Sequence, residues 1–289
     1  MEGLYLQILA GITSGSIYAC LAVAMVMIYR STNHINFAQG EMAMLSAYLC
    51  WVLLDAGFNY VFAVLFTLAA SFAFGVIVQI VVIKKLAKAS RFVVIIGYIG
   101  LFMIFSSIAG AVFDYVPKPF PSPFEGLSIK SLGISGHIIG TLLTITLLMA
   151  VVYAFFSFTK MGLAMRSVAV APTTSRLAGI NVDLMLAFGW GFAAVIGSIS
   201  ALLAAPVLYL EPHMMVGVLC YTFAGALLGG ISNPWGAVAG SLIVGVLENL
   251  MGAYVVGTEI KLTIALFLIV GVLVLKPEGL FGRRIEVRV

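Results

Sequence analysis

Polar residues punctuate this chain instead of alternating with apolar ones. Apolar runs cover about 4–29, 37–54, 60–83, 92–113, 138–158, 184–210, 214–230, 236–256 and 262–275, with short polar stretches between them. Most of them reach the ~20 residues that a helix needs to cross ~30 Å of hydrocarbon. The seventh and ninth are short, which suits tilted neighbours or half-helices. The runs are continuous, without the period of two that barrel strands require, and backbone polar groups in lipid must be satisfied internally. Helices are the structure that remains. The pattern predicts an all-α polytopic membrane protein of about 8–9 transmembrane helices, some of them broken.

Composition sharpens this picture. Of 289 residues, 63% are hydrophobic and 9% charged, against about 45–50% and about 25% in soluble domains. So few charges cannot cover a water-facing surface, which excludes a soluble enzyme, a nucleic-acid-binding domain and a disordered chain. No stretch is polar enough to fold alone in water, so residues 1–289 read as one transmembrane domain in contact with lipid. Met1-Glu2-Gly3 has no positive n-region, so the first run is expected to stay as a span. Cys20, Cys50 and Cys220 lie in apolar runs without metal spacing and read as small hydrophobes.

The net charge is +4, and its distribution says more than its size. Numbering the loops alternately puts Arg30, Lys84, Lys85, Lys88, Arg91, Lys160, Arg166, Arg176, Lys276, Arg283, Arg284 and Arg288 on one side. Lys118, Lys130 and Lys261 fall on the other, twelve against three. The positive-inside rule then places the C-terminus in the cytoplasm and the N-terminus outside. An outer loop at 114–137 carries Pro117, Pro119, Pro121 and Pro123 and reads as stiff and extended. A cytoplasmic loop spans 160–183 and a cytoplasmic tail 276–289.

Gly15-Ser16-Ile17-Tyr18-Ala19-Cys20-Leu21-Ala22 resembles Gly197-Ser198-Ile199-Ser200-Ala201-Leu202-Leu203-Ala204. The two copies would run in opposite directions, as in an inverted repeat. Small-residue composition of any packed membrane helix is the alternative reading.

The chain contains no P-loop and no His-Glu-x-x-His or Cys/His cluster, so no cofactor site is indicated in it. Gly133-Ile134-Ser135-Gly136 matches the Gly-x-Ser-Gly of intramembrane serine proteases, with His213 as its base. The same residues read as a helix start. Carboxylates inside spans are costly and mark functional hypotheses. Glu248 lies within the eighth run, where it either lines a pathway or makes one interhelical hydrogen bond. Glu41 follows Asn36-Phe37-Ala38-Gln39-Gly40, a polar break that suits an unwound or half-helical segment lining a cavity. A secondary, ion- or proton-coupled transporter using Glu41 and Glu248 is therefore a second reading. Gly225, Gly229, Gly230, Gly236 and Gly240 crowd one hairpin and are expected to bring its helices close.

The loop 160–183 is the most specific feature. Pro172 suits the first position of a helix and Gly179 its left-handed end. Thr173 to Ala178 would form a helix of one to two turns, with Leu177 and Ala178 on one face and Arg176 on another. So short a helix is unstable alone in water. It needs a cytoplasmic partner to dock on, or the membrane surface to lie on.

Five stretches together resemble the permease subunits of bacterial ABC importers for branched-chain amino acids, the Liv-type H subunit. They are Gly15–Ala19; Ile35–Glu41 with Ala47-Tyr48; Met165–Ala169 leading to Leu177–Val182; Phe223-Ala224 through Gly229-Gly230 to Pro234–Ala237 and Gly245–Glu248; and Lys276–Gly282. The third departs from the family pattern at Ala171–Ser175, where an Asn and more Ala are expected. The resemblance implies a translocation subunit of the bacterial inner membrane, not itself an enzyme. It would pair with a second homologous permease, two ATPase subunits that bind the ATP, and an extracytoplasmic amino-acid-binding protein. It also implies that the loop carrying Arg166, Ala169, Pro172, Arg176, Leu177, Ala178, Gly179 and Ile180 is the coupling helix that docks on an ATPase. Relatives carry Leu, Ile and Val, or other amino acids, amides or urea.

Overall fold

The computed structural model describes residues 2–282 except 33, 88, 129–133, 256, 258–259 and 277. Lys88, Lys130, Gly133, Pro277 and the tail from Arg283 onward, on which some of the expectations above fall, lie outside the described residues.

The chain folds into helices α1 (Glu2–Thr32), α2 (Gln39–Asp55), α3 (Tyr60–Val78), α4 (Lys84–Leu86), α5 (Arg91–Phe113), α6 (Gly136–Phe158), α7 (Lys160–Val170), α8 (Pro172–Leu177), α9 (Val182–Leu208), α10 (Met214–Gly229), α11 (Pro234–Tyr254) and α12 (Lys261–Leu275). A π-helical turn, Gln79–Ile83, joins α3 to α4 without a break. Among the described residues, six helices are long and apolar enough to cross a membrane: Gly3–Thr32, Tyr60–Leu86, Phe92–Phe113, Gly136–Phe158, Val182–Leu208 and Pro234–Tyr254. The apolar helices α10 and α12 are shorter, as is α2 at 17 residues. The nine apolar runs thus become six full-length helices and three short ones.

Local chemistry sets the helix starts. Asn59, Ser90, Ser135, Thr159, Asn181 and Asn233 each cap a helix by accepting from a backbone N–H of its first turn. Pro172 and Pro234 occupy first-turn positions, where the missing N–H costs nothing.

Helix α1 is the central post. Its spanning window is 83% buried, against 22% for α6. Small residues allow this. A Cβ at Gly11 would stand 2.7 Å from Val246 Cα, and one at Gly15 2.8 Å from Leu242 Cα, so α1 and α11 meet backbone to backbone.

The packing is symmetric in an inverted sense. Helix α1 packs on α11 as α9 packs on α3, and α1 meets α10 as α9 meets α2. The unit α1–α2–α3 is therefore matched by α9–α10–α11. Where the two halves touch, Ser200 Oγ donates to Ile17 O at 2.9 Å, and a Cβ at Gly197 would stand 3.7 Å from Leu21 Cδ1. The segments Gly15–Ala22 and Gly197–Ala204 thus lie antiparallel against each other, the arrangement an inverted repeat produces.

Contacts between loops sort them onto two ends. At the basic end Lys84 meets Asp183, and the tail residue Leu280 donates its N–H to Leu228 O at 2.7 Å. At the proline-rich end Lys118 and Leu210 form an isolated antiparallel bridge. There His137 Nε2 also lies 3.0 Å from Leu203 O. These groupings match the alternate numbering of the loops.

Candidate functional site

Three clusters hold the polar residues singled out in the sequence. The first is the break before α2, which lies deep in the bundle. Asn36 Oδ1 accepts from Ala38 N at 3.0 Å, and Asn36 Nδ2 donates to Gln39 Oε1 at 3.0 Å. Gln39 Nε2 donates to Ala193 O at 2.9 Å, nearly halfway along α9. Gly197 leaves the space for this reach, since a Cβ there would stand 2.7 Å from Gln39 Nε2. The Phe37 ring packs 5.4 Å from that of Phe223, and a Cβ at Gly40 would stand 3.4 Å from Met215 Cβ. Irregular backbone at membrane depth is tolerated because it is enclosed in protein. Glu41 is 1% exposed, and neither carboxylate oxygen has a hydrogen-bond partner among the described residues. Asn36, Phe37, Gln39, Gly40 and Glu41 are thus brought together, whereas Glu248 belongs to another cluster. The matching break before α10 opens at Tyr209, whose φ of +63° is rare for a residue with a side chain.

The second cluster centres on Glu248. Tyr18 Oη donates to Glu248 Oε2 at 2.6 Å, and Lys261 Nζ lies 3.8 Å from Glu248 Oε1. Gly252 clears the way for the lysine stem, because a Cβ there would collide with Lys261 Cε. The Tyr18 ring stacks 5.1 Å from Tyr221, and Asn249 Nδ2 donates to Gly245 O at 3.0 Å. Both oxygens of Glu248 are engaged, and the carboxylate ties α1, α11 and α12 together.

Four of the hairpin glycines lie where α10 meets α11. A Cβ at Gly225 would stand 2.5 Å from Ser241 Cα, Gly240 abuts Gly225 O, and Gly229 and Gly236 abut each other's carbonyls. Gly230 differs. Its φ of +104° forms the turn after α10, and a Cβ there would stand 2.8 Å from Gly282 N. The C-terminal segment pairs with this turn: Phe281 N donates to Gly229 O at 3.2 Å and Asn233 Nδ2 to Phe281 O at 3.3 Å.

The third cluster is the loop between α6 and α9. Helix α8 has six residues, begins at Pro172 and buries only Ser175. Its end is a Schellman closure. Ile180 N donates to Ser175 O at 3.0 Å and Gly179 N to Arg176 O at 3.1 Å, with Gly179 at φ +82°. Leu177 is 90% exposed and Val170 80%. Arg166, Pro172, Arg176, Ala178 and Gly179 are exposed, and Ala169 and Ile180 half-buried. Two participants, Lys84 and Asp183, were missed in the sequence: Lys84 Nζ lies 2.8 Å from Asp183 Oδ2, and Arg176 Nη2 lies 3.9 Å from Asp183 Oδ1. Their only sequence signal is that all three fall in loops assigned to the same side.

Ser135 caps α6, accepting from His137 N at 3.3 Å, while His213 Nδ1 lies 3.2 Å from Ser106 Oγ. The two residues are engaged separately, as the helix-start reading requires, and form no nucleophile–base pair.

A solved structure described as PsaBC from Streptococcus pneumoniae in complex with Fab is similar at a TM-score of 0.50 and 10% identity, over 93% of this chain and 91% of that one. That likeness concerns the fold alone. In sequence, the chain is 27% identical to the high-affinity branched-chain amino acid transport system permease protein LivH of Escherichia coli (strain K12), over 96% of this chain and 95% of that one. It is 29% identical to the corresponding permease protein BraD of Pseudomonas aeruginosa over the same shares. It is 25% identical to a probable branched-chain amino acid transport permease protein LivH of Methanocaldococcus jannaschii, over 91% and 87%. The family model described as branched-chain amino acid transport system / permease component matches residues 7–273. This chain, a multi-pass helical membrane protein, belongs to that family of permease components.

Proposed function

We propose that the chain is the translocation subunit of an ATP-driven ABC importer that moves branched-chain or similar amino acids into the cytoplasm. It works beside a second homologous permease, two ATPase subunits and an extracytoplasmic amino-acid-binding protein. ATP binds to and is hydrolysed on the partner subunits. The membrane is the bacterial cytoplasmic membrane, with the N-terminus outside and the basic end inside.

The observation that carries this reading is α8: a closed, six-residue helix whose apolar Leu177 is 90% exposed. A helix of that length does not persist in water alone; Ser175 and the Arg176–Asp183 contact anchor one side of it to this chain, and a bound partner covers the exposed Leu177. Closure of the ATPase pair on ATP pushes on α8. The push passes to α7 and α9, between which α8 is joined, and the two repeat halves rock about α1 to exchange inward and outward access. The enclosed break at Asn36–Glu41 lies at the level where the halves cross and supplies polar lining when they part.

A secondary transporter needs linked titrating groups along its path. Glu41 and Glu248 lie in separate clusters, Glu248 tied to Tyr18 and Lys261 and Glu41 enclosed near α9, which counts against a relay that links them. The deciding experiment is uptake in vesicles with the proton gradient collapsed and ATP maintained. Continued uptake supports ATP drive, and its loss returns the secondary transporter. Reporter fusions after Gly126 and after Ala171 should read outside and inside respectively; the reverse result overturns the orientation.

A further inference from the structure

Asp183 sits where α4, α8 and α9 meet. It lies in the first turn of α9, but that helix is already capped by Asn181, whose side chain accepts from Leu184 N at 3.1 Å. Its carboxylate is therefore free for other work. One oxygen lies 2.8 Å from Lys84 Nζ on α4 and the other 3.9 Å from Arg176 Nη2 on α8. A cleft between α8 and α9 is lined by Arg176, Gly179, Ile180, Asn181, Val182 and Asp183.

Lys84 directly follows the π turn Gln79–Ile83. Such turns interrupt the regular ladder of a helix and are frequent at functional sites. On one side of it α3 and α9 are locked together: a Cβ at Gly75 would stand 2.5 Å from Trp190 O, and one at Gly191 2.7 Å from Phe72. On the other side, the ion pair links α4 to the start of α9. Gln79, at the turn itself, is buried with its Oε1 unpartnered among the described residues. The ion pair thus lies beyond the π turn from the part of α3 that is locked to α9.

We infer that Asp183 is a positioning residue, transmitting displacement of the docking helix α8 to both repeat halves: to α9, which carries it, and through Lys84 to α3. This rests on the docking role proposed for α8. The pair is about half exposed, 54% for the Lys84 side chain and 51% for Asp183. Pairs so exposed contribute little to stability, so its removal leaves the fold intact and isolates the transmission.

The test uses the complete transporter, co-purified with its ATPases and reconstituted with its binding protein. Amino acid moved and ATP hydrolysed are measured together. Asp183→Ala and Lys84→Ala are expected to retain the ATPase subunits and to move about fivefold less solute per ATP, the low end of measured coupling effects. Asp183→Glu and Lys84→Arg restore the ratio, and the double alanine variant is no worse than either single one. An unchanged ratio in both alanine variants overturns the inference, and so does a double variant that multiplies the two losses. Loss of the ATPases from the alanine complexes would make these residues docking contacts instead and also overturns it. Leu177→Asp separates the two levels. If it detaches the ATPases while the alanine variants keep their ratio, only the role of Asp183 fails. If it leaves assembly and uptake untouched, the docking reading itself fails.

Discussion

The proline-rich end of the bundle and the loop around α8 at its basic end are fastened by different chemistry. At the proline-rich end the fastening runs mostly through backbone groups. Lys118 and Leu210 exchange both main-chain hydrogen bonds, at 3.0 and 2.9 Å, and Ser106 Oγ donates to Pro212 O at 3.4 Å. His137 bridges Ser122 Oγ at 3.0 Å and Leu203 O at 3.0 Å. In the loop around α8 at the basic end the ties are exposed charges, Lys84, Asp183 and Arg176. A pair of main-chain hydrogen bonds fixes two segments in register, whereas exposed ion pairs are worth about 0–1 kcal/mol. On the reading proposed above, the loop around α8 is the moving part and the proline-rich end is the brace.

Several substitutions break or sharpen this contrast. The largest effect is expected in the core that both ends share. Gly15→Leu drives a side chain into the backbone of α11, and overpacking costs about 1–3 kcal/mol or more from a total of about 5–15. The yield of monodisperse protein in detergent should collapse. Next, Gly179→Pro forces a φ near −65° where the helix closure needs +82°. Uptake should fall below about a tenth of the parent value, while membrane insertion, read by the reporter fusions, is retained. His137→Ala removes two ties of the brace and should lower thermal stability by about 1–3 kcal/mol, leaving the ATP-coupled turnover of the surviving protein unchanged. Tyr18→Phe deletes one hydrogen bond to Glu248 and should cost about 1–2 kcal/mol by the same measurement. Lys118→Ala keeps the backbone bridge and loses the contact of Lys118 Nζ over Trp51, 4.9 Å from the ring centroid. It should cost about 0.5–1 kcal/mol and leave uptake untouched. A brace variant that uncoupled ATP from transport would erase the distinction between the ends.

The elements that were legible in the sequence are those fixed by local chemistry. Pro172 and Gly179 bracket α8 because first-turn and left-handed positions select those residues whatever surrounds them. Ser135 reads as a cap for the same reason. The centrality of α1 was not legible, because apolar residues face both lipid and core in a membrane protein and hydropathy cannot separate the two. The small residues Gly11 and Gly15 carry that signal only once α11 is seen against them. Glu248 looked isolated because its partners sit on other helices, Lys261 at the start of α12 and Tyr18 on α1. Asn36 and Gln39 were recognisable as a break. Their depth depends on Ala193, over 150 residues away in sequence, which no local pattern encodes. Gly230 was grouped with the packing glycines because spacing alone cannot tell a helix contact from a turn that receives the tail.

Cross-linking from position 177 tests the central claim most directly. With Leu177→Cys in the assembled transporter, a short thiol-reactive photoprobe is expected to attach to an ATPase subunit, with a yield that changes when ATP binds. A probe that labels only lipid, in complexes that still take up amino acid at the expense of ATP, would contradict the account.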